Sequence, residues 1–113
     1  MGRQSKFTGS SAPGLLESIY QRALCHELSL RGINHIPQQR LPVTYKGVPL
    51  GDDLKMDILV ENRLVVELKA IDRLEGIHEA QLLTYLRLSG HHVGLLLNFN
   101  VRLLKDGMKR MVL

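Results

Sequence analysis

The chain has 113 residues and a single cysteine, Cys25, which predicts one domain and excludes an internal disulfide bond. With 44% hydrophobic and 23% charged residues, its composition is that of an ordinary globular protein. A lone cysteine, no apolar run of membrane-spanning length and no signal-peptide pattern together predict a cytoplasmic protein without membrane contact. The net charge of +4 permits attraction to a polyanion but is too small to indicate nucleic acid by itself.

The N-terminal part predicts an arm followed by a helix. Residues 1–12 are polar and aperiodic, which indicates a flexible arm, and residues 13–113 form the predicted domain. Apolar residues recur at helical spacing from about Pro13 to Leu30, and Gly32 is a suitable stop. The buried stripe of this helix is expected to contain Leu16, Ile19, Tyr20, Ala23, Leu24 and Leu28.

The rest of the chain shows strand patterns interrupted by one helix pattern. Strands are predicted over 40–45, 53–60, 64–70, 93–98 and 108–112, with a turn at 46–47 and a helix over 77–89 before Gly90. The order α-β-β-β-α-β-β indicates an α/β or α+β layered domain.

Alternation along two of these strands predicts which residues share a face. In 53–60, one face is expected to hold Leu54, Met56, Ile58 and Val60, and the other Asp53, Lys55, Asp57 and Leu59. In 64–70, Val65, Glu67 and Lys69 share one side. A three-residue loop over 61–63 would place Asp57 opposite Glu67, with Asn62 or Arg63 in the left-handed conformation.

Two carboxylates that face each other repel unless a cation lies between them. Mg²⁺ prefers oxygen ligands and commonly takes only one or two carboxylates, so Asp57 and Glu67 would suffice, with the Leu68 carbonyl as a third ligand. Lys69 would point to the same side and could orient or help deprotonate an attacking water. The alternative is that Glu67 and Lys69 form a solvated ion pair on an exposed sheet face.

Three further residues are ordinary when taken alone. Glu17 is expected to be a surface glutamate of the first helix, and Gln81 and Tyr85 are expected to form an i, i+4 pair on the second helix. Their interest comes from a family pattern.

The segment from Gly14 to Tyr20 (GLLESIY) resembles the motif that names the GxxExxY proteins, which are assigned to the PD-(D/E)XK nuclease superfamily. The resemblance continues through YKG at 45–47, Asp57, VELKA at 66–70, IHEAQLLTYL at 77–86 and GLLLNF at 94–99. It covers about residues 13–113, and the combination of motifs is specific although each piece alone is not.

The resemblance implies a restriction-endonuclease-like fold, with a mixed central sheet flanked by helices. It also implies roles: Asp57 and Glu67 as metal ligands, Glu17 as an acid that helps hold the metal or its waters, and Lys69 as the catalytic lysine. Gln81 and Tyr85 resemble a Gln-x-x-x-Tyr element that lies beside the active site and contacts substrate or supports the site.

The sequence departs from the family before Pro13. Members usually begin with another helix that runs into Leu-Gly-Pro-Gly, whereas residues 8–12 read TGSSA here. Either the chain is truncated or its start is divergent, and the first helix is expected to expose apolar surface as a result.

Two functions remain open on the sequence. The first is a hydrolase that cleaves phosphodiester bonds of DNA or RNA with Mg²⁺, or with Mn²⁺ in its place. The second is a non-catalytic nucleic-acid-binding or protein-interaction module that keeps the nuclease fold. The small size leaves room in both cases for a homodimer or another partner that supplies specificity.

Overall fold

A computed structural model describes residues 15–51 and 53–113. The predicted arm over 1–12 and the predicted helix start at Pro13 lie outside these residues. The described elements, in chain order, are α1 (Leu15–Leu30), β1 (His35–Leu41), β2 (Thr44–Tyr45), β3 (Val48–Pro49), β4 (Leu54–Val60), β5 (Leu64–Lys69), α2 (Gly76–Ser89), β6 (Val93–Asn98), a 3₁₀ helix (Leu104–Gly107) and β7 (Met108–Val112).

The centre of the molecule is a five-stranded mixed sheet in the order β1-β4-β5-β6-β7. Strands β5 and β6 are parallel and are connected through α2, whereas the other neighbours are antiparallel. Val65 belongs to a hydrophobic cluster with α2, and its neighbour Val66 belongs to a second cluster that packs against α1. Because successive strand residues point to opposite faces, the two helices cover opposite faces of the sheet. The predicted mixed sheet flanked by helices is therefore confirmed.

The inward face of α1 differs from the predicted stripe. Leu16 is 48% exposed and Ile19 is 44% exposed, and no residue of α1 is fully buried. The half-buried positions instead follow helical spacing as Glu17, Tyr20, Gln21, Leu24, Cys25 and Leu28. The prediction holds for Tyr20, Leu24 and Leu28 but was wrong for Leu16, Ile19 and Ala23, because it assumed an apolar face throughout. Near its start the helix directs the polar side chains of Glu17 and Gln21 toward the sheet, and the aliphatic packing comes from its later residues, such as Leu24 and Leu28.

The first sheet strand lies earlier than the predicted 40–45. Strand β1 runs from His35 to Leu41, and Thr44–Tyr45 pairs instead with Val48–Pro49 in a separate two-stranded hairpin. Pro37 argues against a strand in the sequence, because proline cannot donate a hydrogen bond to a neighbouring strand. Strand β1 tolerates Pro37 because it lies at the edge of the sheet. The turn expected at 46–47 is present, with positive φ at both residues.

The predicted alternation of β4 breaks at Asp57. Leu54 and Met56 pack with the α2-side cluster, whereas Ile58 and Val60 pack with the α1-side cluster. The prediction of one shared face was therefore wrong. The change coincides with a gap in the β1–β4 ladder at the residue opposite Asp57, where Gln38 has a φ of 52°.

The register predicted between β4 and β5 is confirmed. Val60 pairs with Leu64 and Leu59 with Val65, across a three-residue loop over 61–63. Of the two residues predicted to adopt the left-handed conformation, Asn62 does so, and Glu61 also has a positive φ, which was not predicted.

The remaining predicted elements, α2, β6 and β7, are all present, and Gly90 ends α2 with a φ of 82°. None of the described helices combines the length and apolar character that a membrane-spanning helix requires.

Candidate active site

Asp57 and Glu67 face each other where β4 and β5 separate. The backbone pairing extends as far as Ile58 and Val66, and beyond this pair the two strands are joined by hydrogen bonds between side chains and backbone. The Asp57 N–H donates to Glu67 Oε2 at 2.9 Å, and the Leu68 N–H donates to Asp57 Oδ2 at 2.7 Å. Each carboxylate is therefore held by the backbone of the opposite strand, and this fixes the distance between them.

Burial makes this carboxylate pair unfavourable in its charged form. Glu67 is only 3% exposed, and burial together with the neighbouring Asp57 charge raises the Glu67 pKa to about 8. Burial also raises the pKa of Asp57, although the Leu68 N–H and the Lys69 ammonium oppose the shift. The pair lacks enough positive charge among the described residues to keep both carboxylates ionised near neutral pH.

Lys69 is oriented by α2. Its Nζ donates to Gln81 Oε1 at 3.1 Å, and Gln81 Nε2 donates to the Tyr85 hydroxyl at 3.1 Å. Tyr85 is buried in the α2-side cluster, and its pKa is raised by burial and by the nearby Glu67 charge. The i, i+4 spacing of Gln81 and Tyr85 thus serves to connect the sheet lysine to the core.

Glu17 lies at the site rather than on a remote surface. Its Oε2 accepts a hydrogen bond from the Ala70 N–H at 3.3 Å. It also lines a cleft of about 280 Å³ with Asp57, Gln38, Gln21 and Ser18. Within the described residues, however, no three His, Cys, Asp or Glu side chains come close enough together to ligate one metal ion. Glu17 is therefore at the rim of the pair and not part of a three-carboxylate cluster.

Three polar residues around the site were not predicted from the sequence. Gln38 and Gln21 join β1 to α1, with Gln38 Nε2 donating to Gln21 Oε1 at 2.6 Å. Asn98, at the end of β6, is 1% exposed and makes hydrogen bonds to both the N–H and the carbonyl of Ile71. Asn98 could have been predicted, because an amide that ends an otherwise apolar strand requires buried hydrogen-bond partners. Nothing in their local sequence distinguished the two glutamines.

The donor set around the pair fits a hard divalent cation. It consists of carboxylate oxygens, and Mg²⁺ binds oxygen ligands and often needs only one or two carboxylates from the protein. The Leu68 N–H points toward β4, and a strand residue directs its N–H and carbonyl to the same edge. The Leu68 carbonyl therefore faces the gap beside Asp57, as the sequence hypothesis requires.

Comparison with protein families agrees with this geometry. The family model described as PD-(D/E)XK nuclease superfamily matches residues 5–111. No curated protein and no solved structure matches the chain significantly. The match covers nearly the whole chain, including both helices, β1 to β6 and all but the last residue of β7. The chain belongs to the PD-(D/E)XK nuclease superfamily.

Proposed function

We propose that the protein is a Mg²⁺-dependent nuclease that hydrolyses phosphodiester bonds of DNA or RNA. The observation that carries the proposal is that the buried Glu67 faces the half-buried Asp57, with Lys69 two residues from Glu67 on the same strand. A buried carboxylate that faces a second, half-buried carboxylate is costly for a fold unless a cation compensates their charge. Superfamily membership supports nuclease-type chemistry at such a pair.

The metal would be held by the Asp57 and Glu67 carboxylates and by the Leu68 carbonyl. Each carboxylate has one oxygen engaged by a backbone N–H, and its second oxygen is the proposed ligand. Glu17, at the rim of the cleft, would hold metal-bound water rather than the ion itself. When bound, Mg²⁺ or Mn²⁺ would supply positive charge that stabilises the phosphate as negative charge develops on it.

Lys69 is the proposed catalytic lysine. Its ammonium would orient the attacking water and help to remove a proton from it, and the hydrogen bond to Gln81 restricts where the ammonium can lie. Tyr85 fixes Gln81 from the core side. Gln81 is exposed, so its side chain is also the one placed to contact substrate.

We further propose that the protein is a GxxExxY-type member of the superfamily and that it acts in the cytoplasm. Glu17 and Tyr20 are the described residues of that motif. Glu17 faces the site, and the Tyr20 ring stacks on Phe99 with centroids 4.4 Å apart, which anchors α1 beside β6. A homodimer, or a partner protein, would supply any sequence specificity.

The proposal is tested by cleavage assays on wild type, Glu67→Ala and Lys69→Ala, with several DNA and RNA substrates. We expect cleavage that requires Mg²⁺ or Mn²⁺, and a loss of about 100-fold or more in both variants. Matched controls are Glu27→Ala on exposed α1 surface and Lys109→Ala on β7, at the far side of the sheet from β4.

The controls should cleave as the wild type does. Cleavage that survives in Glu67→Ala and Lys69→Ala would contradict the proposed site. Tight nucleic-acid binding without cleavage, unchanged by either substitution, would favour a non-catalytic binding module over an enzyme.

A further inference from the structure

Gln38 has an unusual backbone for its position. The β1–β4 ladder pairs Pro37 with Ile58 and Gln39 with Met56, but skips Gln38, which stands opposite Asp57. The φ of Gln38 is 52°, in the left-handed region that favours glycine. Among the described residues, the other non-glycine residues with positive φ lie in turns, whereas Gln38 lies inside a strand.

The side chain of Gln38 joins this irregularity to the candidate site. Its Nε2 donates to Gln21 Oε1 at 2.6 Å. Gln38 and Gln21 also line the same cleft as Asp57, the residue opposite Gln38. A primary amide carries two N–H groups, so the Gln38 nitrogen that donates to Gln21 has a second N–H with which it can donate to a carboxylate in the cleft.

A purely structural role does not account for this arrangement. The Gln38–Gln21 bond is exposed and joins two long side chains, so it contributes little to folding. A strained backbone that gains little stability persists mainly where surrounding contacts impose it at a functional site. The residue opposite Gln38, in the same cleft, is Asp57, one of the two carboxylates of the candidate site.

We propose that Gln38 is a positioning residue that, together with Gln21, orients the Asp57 carboxylate for binding a divalent cation. This inference rests on the proposed function, because it assigns Asp57 as a metal ligand. Groups that hydrogen-bond to a metal ligand fix its orientation, and their loss typically weakens metal binding or activity by about 10- to 100-fold. Gln38 acts on the metal only through Asp57.

The test is an electron paramagnetic resonance titration that measures free Mn²⁺ in the presence of each protein. Gln38→Gly removes the amide and also suits the left-handed backbone, so the variant should unfold at the same temperature as wild type or higher in the presence of EDTA. We expect its Mn²⁺ dissociation constant to rise by about 10-fold or more. Asp57→Asn shows how far the Mn²⁺ dissociation constant rises when the proposed ligand itself is lost.

The matched control is Gln39→Ala, the next residue of β1, which pairs regularly with Met56. It should bind Mn²⁺ as the wild type does. Gln21→Ala should weaken binding less than Gln38→Gly, and the double variant should be no weaker than Gln38→Gly alone, because Gln21 acts through Gln38.

Cleavage gives a second readout that separates positioning from catalysis. Raising the metal concentration should restore the rate of Gln38→Gly, but not that of Lys69→Ala. If Gln38→Gly binds Mn²⁺ as tightly as wild type while Asp57→Asn does not, the role of Gln38 is overturned and the proposed function stands. If wild type and Asp57→Asn bind Mn²⁺ equally weakly, both are overturned.

Discussion

Glu67 is a carboxylate in a place that favours a neutral group. It is buried, it faces Asp57, and its pKa is raised to about 8. The folded protein therefore binds a proton at Glu67 that the unfolded chain, with a pKa near 4.5, has already released. The stability contributed by the protonated form is fully present below the unfolded pKa and is lost as pH rises through the folded pKa.

This sign gives a prediction for Glu67→Gln in the absence of metal. Between about pH 5 and pH 8 the wild type should lose free energy of unfolding, at about 1.4 kcal/mol for each unit of pKa difference as an upper limit. The variant carries a neutral amide of similar shape at residue 67, so most of this slope should disappear and the variant should be the more stable protein at the upper end of the range. Urea unfolding in EDTA at several pH values measures both slopes.

Divalent metal should reverse the order of the two proteins. Mg²⁺ should stabilise the wild type near pH 8, since it binds the folded protein alone, and it should leave Glu67→Gln almost unchanged. Parallel pH slopes for the two proteins in EDTA would count against a buried, proton-binding Glu67.

At the scale of elements, the site depends on how β5 ends. Lys69 is the last residue of β5, and its carbonyl accepts a hydrogen bond from the Phe99 N–H at 2.9 Å. Ile71 lies two residues after Lys69, and the Asn98 side chain forms hydrogen bonds with both its N–H and its carbonyl. These bonds tie the loop that leads into α2 to the end of β6, so they hold Lys69 and Gln81 in fixed relation.

Asn98→Ala should therefore be costly. The part-buried Ile71 N–H would lose the oxygen of a fully buried side chain, which costs about 1–3 kcal/mol of unfolding free energy. Asn100→Ala is the matched control, because Asn100 also donates to the Ile71 carbonyl but is exposed, and we expect a change within about 0.5 kcal/mol. Urea unfolding compares the two, and equal effects would argue against the Asn98 clamp.

The elements also show which parts of the fold the sequence could predict. Helix α2 and strands β4 to β7 carry clear periodicity and turn residues, and their bounds were predicted closely. Helix α1 was found, but its inward face was not. Glu17 and Gln21 turn toward the sheet because the cleft beside Asp57 is polar, and hydrophobic periodicity cannot report a face selected for polar contacts.

Strand β1 was misplaced for a related reason. Pro37 and two glutamines do not read as a sheet strand, and only the edge position of β1 makes them tolerable. The irregular backbone at Gln38 lies opposite Asp57, and its side chain bonds to Gln21, and both residues are distant in sequence. Local pattern therefore could not reveal it.

At the scale of the whole molecule, the two helices approach one end of the sheet from opposite faces. Helix α1 brings Glu17 to the Ala70 backbone, and α2 brings Gln81 to Lys69. The predicted three-residue loop set the register that places Asp57 across from Glu67, so the meeting of the two carboxylates could be predicted from loop length, although the predicted alternation of β4 breaks at Asp57. The surrounding amides could not, because they belong to packing between elements.

The central claim is that Asp57 and Glu67 together hold a divalent cation. The most direct measurement is an anomalous difference map from crystals of the wild-type protein soaked in Mn²⁺. We expect a peak between the two carboxylates and the Leu68 carbonyl, at metal–oxygen distances of about 2.1 Å. A map with no peak at this pair, or with peaks only at distant side chains, would contradict the account.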